Sequence, residues 1–166
     1  MKKRMIPIAV AALALVALLI LAASGCSSAS NGTSGKITPT WTTAQIQGDV
    51  VSIPVNEIDQ GKMVHFRVEQ QGASRAFMAY RLDEEIYVRA AVCPPCRSES
   101  FSLAGDTLVC NACGTKFEAS TGDGVSGACR NYPKAEVSYT VDGEGITLSM
   151  NDLVAAYENT VIAGRP

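Results

Sequence analysis

Between residues 50 and 149 the large apolar side chains fall in short runs, several of them alternating with polar positions. The runs cover 50–55, 62–70, 76–82, 86–92, 107–109, 136–141 and 146–149, and their length and two-residue period predict strands. Gln71-Gly72, Leu82-Asp83-Glu84, Ala104-Gly105-Asp106 and Asp142-Gly143-Glu144-Gly145 separate them. Each contains residues that tolerate positive φ or pre-set a bend, so the strands are expected to form hairpins. After Ser149 the pattern changes. Ser149-Met150-Asn151-Asp152 forms a capping-box-like start, with Asp in place of the usual Glu, for a short helix carrying Leu153, Val154, Ala156 and Tyr157. The predicted fold is therefore mostly β, a small sandwich-like or barrel-like domain closed by a short C-terminal helix. No internal repeat at a solenoid period is present.

The N-terminus follows a different pattern. Lys2-Lys3-Arg4 precedes an apolar run from Met5 to Ala23, and then comes Ser24-Gly25-Cys26. This is the layout of a secretory signal. The hexapeptide Leu21-Ala22-Ala23-Ser24-Gly25-Cys26 resembles a bacterial lipobox, in which Cys26 becomes the lipidated first residue of the mature chain. An uncleaved membrane helix is the alternative, since the run approaches the roughly 20 residues that span a bilayer. Both readings place the remainder outside the cytoplasmic membrane, facing periplasm or cell exterior, because positive charge ahead of the apolar run stays inside. The expected layout is a signal peptide with lipobox over 1–26, a flexible tether rich in Ser, Thr, Gly and Asn over 27–45, and one domain over 46–166.

Composition narrows the function classes. The formal net charge is -2 and the 14 Lys and Arg residues are scattered, which gives no basic field for nucleic acid. His65 is the only histidine, no phosphate-binding glycine loop is present, and no carboxylate pair stands out, so a hydrolase or transferase is not expected. His65 itself reads as a structural or surface residue, Met63 and Met78 as core fillers, and Trp41 as a residue packed on the domain.

The cysteines are the chemical signal. One of the six is Cys26, and five lie between residues 93 and 129. Cys93-Pro-Pro-Cys96 and Cys110-Asn-Ala-Cys113-Gly114 each follow a predicted strand. A two-residue spacer lets both sulfurs of a pair face one ion, and Gly114 permits a tight turn whose amides face a sulfur. Cys93, Cys96, Cys110 and Cys113 are thus expected to form one four-thiolate centre, and soft thiolates suit zinc, a single iron or an iron-sulfur cluster alike. Disulfides are the alternative in an oxidising compartment. The odd count of five would leave one thiol unpaired, and bridging across two residues closes little loop entropy. Cys129 is a candidate fifth ligand, with a buried structural thiol as the other reading.

The stretches Ala91-Val-Cys93-Pro-Pro-Cys96, Gly105-Asp-Thr-Leu-Val-Cys110-Asn-Ala-Cys113-Gly-Thr-Lys-Phe117 and Gly127-Ala-Cys129-Arg-Asn-Tyr-Pro133 together resemble the FtrD-like membrane iron-sulfur family over roughly residues 50–150. The resemblance implies an iron-sulfur cofactor, one-electron transfer, and a redox or iron-transport protein as partner, since some family members accompany ferrous iron uptake. The same segment resembles a Rieske domain around the two loops, but Pro95 and Cys113 stand where that domain has histidines. This argues against a Rieske centre, whose raised potential depends on two neutral histidine ligands. The expected frame is Rieske-like or zinc-ribbon-like, with the knuckles at the ends of adjacent hairpins. Lys2-Lys3-Arg4 is an ordinary general-secretion signal that passes unfolded chain, so a cluster would be acquired outside. Two functions of other classes compete: a binding module in which zinc staples the fold, and thiol-disulfide exchange by a CxxC pair.

Overall fold

The computed structural model describes residues 35–164. The predicted export segment, the predicted lipobox with Cys26 and the first part of the predicted tether lie outside the described residues.

The longest apolar runs build the central sheet. Strands β5 (Met63–Gln70), β6 (Ala73–Leu82) and β7 (Glu85–Ala90) pair antiparallel in sequence order, and the short β2 (Thr40–Trp41) joins β5 in parallel at the edge. Residues 76–80 of β6 are all buried. The reason is visible in their alternation: Phe77 and Ala79 belong to one apolar cluster, while Ala76, Met78 and Tyr80 belong to another. A strand covered on both faces has no solvent side and loses its polar positions. The β5–β6 turn passes through Gln71 and Gly72 with φ of 53° and 76°, the left-handed pair that a tight hairpin needs.

On the first face lies a sheet of β3 (Gln45–Gln47), β4 (Val50–Pro54), β13 (Gly145–Ser149) and β12 (Tyr139–Asp142), in the order β12-β13-β4-β3. Val51 and Ile53 of β4, Ile146 and Leu148 of β13, and Leu153 and Ala156 of helix α2 (Met150–Thr160) fill this core with Phe66, Val68 and Val88. The C-terminal helix thus forms where its apolar spacing predicts it. Its N-cap is Ser149, which makes no side-chain capping bond.

On the second face lies the cysteine-bearing sheet, β1 (Lys36–Ile37), β8 (Phe101–Ala104), β9 (Thr107–Cys110), β10 (Lys116–Glu118) and β11 (Gly124–Ser126), paired in the order β1-β8-β9-β10-β11. Phe101, Leu103, Leu108 and Phe117 pack there with Met63, Met78 and Tyr80. The two methionines are core residues, as their strand positions suggested.

Three differences from the sequence reading have physical causes. Helix α1 (Val55–Gly61) was not foreseen: it is one short segment with a single buried side chain, Ile58, too brief to show a helical period. The predicted 27–45 tether is ordered from Lys36 onward, because two-residue strands such as β1 and β2 carry no periodicity of their own and are held by partners far along the chain. The predicted 136–141 strand reduces to β12, and its first part instead runs past β7, with an isolated bridge between Arg89 and Glu136. Trp41, at the edge, is 51% exposed with its ring 5.2 Å from that of His65. No helix among the described residues is long and apolar enough to cross a membrane.

Candidate metal centre

Both knuckles are built by the same backbone device. Cys93 lies just past β7, and its N–H donates to the Ser98 carbonyl at 2.8 Å; Cys110 ends β9, and its N–H donates to the Thr115 carbonyl at 2.9 Å. Each loop thus closes five residues after its first cysteine. The sharp turns are made by residues with positive φ, Arg97 at 57° in the first and Gly114 at 70° in the second. Gly114 also donates its N–H to the Cys110 carbonyl at 2.9 Å.

The second knuckle is tied to β8 through Asn111, inside the CxxC. Its N–H donates to the Ser100 carbonyl at 2.9 Å, its amide group donates to Ser100 Oγ at 2.8 Å, and its carbonyl oxygen accepts from Ser102 Oγ at 2.8 Å.

These devices bring the four predicted sulfurs together. Those of Cys93, Cys96, Cys110 and Cys113 all lie within 4.8 Å of one another. Pairs from opposite knuckles are the close ones: Cys93 to Cys113 at 3.9 Å and Cys96 to Cys110 at 3.7 Å. All five described cysteines are free thiols. Cys93 and Cys110 are buried, Cys96 is partly covered and Cys113 is exposed, so the set has a closed side and an open tip.

The electrostatics follow that gradient. Burial, reinforced by hydrogen bonds that the Cys93 thiol donates to Cys129 and Cys96, pushes it far up; burial also raises Cys110. For Cys113 slight burial acts upward too, but hydrogen bonds from the Thr115 hydroxyl and amide, and from the Cys110 and Cys96 thiols, bring it down to about 6. Thr115 Oγ1 lies 3.2 Å from Cys113 Sγ and accepts the Cys129 N–H at 3.1 Å. Its own proton is therefore free to point at an ionised Cys113 sulfur.

Cys129 sits beside the four but outside them. It is buried, and its sulfur lies 3.7 Å from that of Cys113. Gly127 sets this contact: with φ of 105°, it lets the loop approach so closely that an added Cβ would stand 2.7 Å from Thr115 Cα.

Behind the knuckles is a support the sequence did not reveal. Arg89 on β7 is 1% exposed and donates to Tyr80 Oη at 2.9 Å, to the Lys134 carbonyl at 2.8 Å, to the Ser120 carbonyl at 2.6 Å and to Glu136 at 3.1 Å. Tyr80 in turn donates to the Ala119 carbonyl at 2.6 Å. One guanidinium thus ties the central sheet to the segments that flank the cysteine loops. Arg89 lies in an ordinary strand pattern, and Thr115, Asn111 and Arg89 have no periodic signal, so only contact geometry identifies them.

The donor set fits thiolate-bound iron. Four cysteine sulfurs are the usual ligands of both common iron-sulfur cluster types, and they hold single soft ions equally well. A tetrahedral ion with metal–sulfur bonds of about 2.3 Å would separate neighbouring sulfurs by about 3.8 Å, close to the cross-knuckle spacings here.

The family match agrees with this chemistry. The family described as "Membrane iron-sulfur containing protein FtrD-like" matches residues 58–159, which is more than half of the chain. No curated protein matches the sequence. Among solved structures, a chain of the "complex of reduced oxygenase and oxidized ferredoxin in carbazole 1,9a-dioxygenase" aligns with a TM-score of 0.51 at 20% identity, over 63% of this chain and 95% of that one. A ferredoxin of carbazole 1,9a-dioxygenase from Nocardioides aromaticivorans IC177 gives 0.47 at 17% identity, over 65% of this chain and 98% of that one. The first of these shows a shared fold, in line with the Rieske-like frame expected from the loops. With an all-cysteine knuckle pair on that frame, and the family's profile spanning both knuckles and the core that positions them, the chain belongs to the FtrD-like family of membrane iron-sulfur containing proteins.

Proposed function

We propose that the chain is an electron carrier held at the outer side of the cytoplasmic membrane by a lipid on Cys26, with Cys93, Cys96, Cys110 and Cys113 as ligands of its iron-sulfur centre. What supports this reading is the iron-sulfur family's match over residues 58–159, which takes in both knuckles; their four sulfurs converge within 4.8 Å, with Cys93 and Cys110 buried and Cys113 exposed. Such a centre supplies one-electron chemistry when bound. The protein's part is to hold and shield it. The paired backbone loops fix the four sulfurs, and the apolar cluster of Phe101, Leu108 and Phe117 keeps water from the closed side. Thr115 presents its hydroxyl and amide to Cys113, and the Ala112 and Cys113 amides face Cys110, polar groups that tune a bound centre.

Exposure of the Cys113 tip gives a protein partner a short path to the centre. The similar ferredoxin chain comes from a complex with an oxygenase, which supports a docked redox protein as partner here; a component of iron transport is the partner that the family's membrane setting favours. The cross-knuckle spacings of 3.7 and 3.9 Å favour a second reading, a single iron or zinc ion in the same four thiolates.

The test is to purify the chain anaerobically and measure metal, acid-labile sulfide, and visible and electron paramagnetic resonance spectra. Iron with sulfide, lost in both Cys93→Ser and Cys110→Ser, supports the carrier. Iron without sulfide selects the single-ion site, and one colourless zinc per chain overturns electron transfer.

A further inference from the structure

Lys134 is a charged side chain sealed inside the protein. It is 1% exposed. Its backbone is held at both ends, the N–H donating to the Gly122 carbonyl at 2.8 Å and the carbonyl accepting from Arg89. Gly122, with φ of 83°, has no room for a Cβ against that same carbonyl. The side chain then runs into the cysteine-side core. Its Nζ lies 4.3 Å from the centre of the Phe117 ring and 5.6 Å from that of Phe101, and it donates one hydrogen bond, to the Tyr132 carbonyl at 2.6 Å.

Among the described residues no carboxylate is within ion-pair distance of this ammonium. The ion pairs among the described residues are Arg67 with Glu99, Arg81 with Asp59 and Arg89 with Glu136. A buried ammonium with one neutral acceptor is costly unless an opposite charge is near. Phe101 and Phe117 share their apolar cluster with Cys93, Cys110 and Cys129, so the aromatic walls of the lysine are also walls of the thiolate site. Burial lowers the Lys134 pKa to about 8, while Cys93, Cys110, Cys129 and Cys96 act on it in the opposite sense. It is therefore a cation at neutral pH even before a metal adds the negative charge of a four-thiolate complex.

Resting on the reading of the four cysteines as a redox centre, we propose that Lys134 is the internal counter-charge of that centre, a buried cation that stabilises its more negative reduced form and so raises its potential. Reduction adds one electron, delivered by a protein one-electron donor in the cell and by dithionite in the assay. No proton moves and no bond breaks. Lys134 stays protonated in both states, and the gain in negative charge is met by a cation already in place, inside a region where charges are weakly screened.

The experiment compares wild type with Lys134→Met, Lys134→Gln and Lys134→Arg. In the iron-loaded protein, the Met and Gln variants should keep the wild-type iron and sulfide content yet show a lower midpoint potential, and Arg should stay near wild type. In the metal-free reduced protein the same Met variant should unfold at higher urea than wild type, because the unbalanced charge is gone. An unchanged potential in a fully loaded Met or Gln variant overturns the inference while leaving the iron-sulfur reading intact. Absence of iron from wild type overturns that reading instead. If the site then holds zinc, the counter-charge predicts faster zinc loss to a chelator from Met and Gln than from Arg, and equal loss overturns it.

Discussion

His65 gives the fold a built-in sensitivity to acid. It lies on β5, fully buried, and neither ring nitrogen has a hydrogen-bond partner. Its neighbours are the Trp41 ring, Met78 opposite it on β6, and Arg67 two residues on. Burial first, and then the Arg67 charge, lower its pKa to about 4. The unfolded chain returns it to about 6.5. The folded pKa is the depressed one, so the unfolded state binds the proton more readily across this interval. The stability that a neutral His65 permits is complete above about pH 6.5 and is lost as pH falls through the folded value. With the folded pKa at about 4, the gap of about 2.5 units corresponds to about 3 kcal/mol lost over that window. Replacing His65 with Phe removes the titrating group and two unsatisfied nitrogens, each of which costs about 1–3 kcal/mol when buried. Urea unfolding of wild type and His65→Phe in parallel from pH 7.5 to pH 4 isolates the effect, because the cysteine titrations are common to both chains. The variant should lose less stability than wild type by about 3 kcal/mol across the window. Parallel loss in the two proteins would falsify the placement of His65 as a neutral, unpartnered core residue.

Other perturbations follow from the same contacts. In the metal-free reduced chain at pH 7, iodoacetamide should modify Cys113 first, being exposed and lowered to about 6, and Cys93 last; peptide mapping by mass spectrometry reads the order, and metal should protect all four knuckle cysteines. Arg89→Met leaves the Tyr80, Ser120 and Lys134 acceptors without their donor and should destabilise the fold in urea unfolding by about 1–3 kcal/mol for each buried acceptor left unsatisfied. Gly114→Ala meets open space and pays only for its positive φ, about 1–2 kcal/mol. Gly127→Ala instead drives a Cβ into Thr115, so it should release metal to a chelator several-fold faster than Gly114→Ala does.

Unlike β8, β10 and β11 of the cysteine-bearing sheet, strands β4 to β7, β9 and β13, the C-terminal helix and the four knuckle cysteines were legible in the residue pattern. Each of those is local information: a two-residue alternation, an apolar spacing, or a pair of thiols two residues apart beside a turn-forming glycine. The expected export signal, with Cys26 at its end, lies outside the described residues. What it left undecided depended on which distant segments meet. Residues 36–41 look like tether because their ordering comes from β8 and β5 rather than from their own composition. Cys129 acquires meaning only where Gly127 lets its loop touch Thr115 and set one sulfur 3.7 Å from Cys113. Arg89 and Lys134 sit in unremarkable stretches, yet both are buried beneath the knuckles. The physical reason is the same throughout: local patterns fix what each segment can become, while burial of charge and the convergence of side chains on one point are set by contacts between segments dozens of residues apart, which tertiary packing alone brings together.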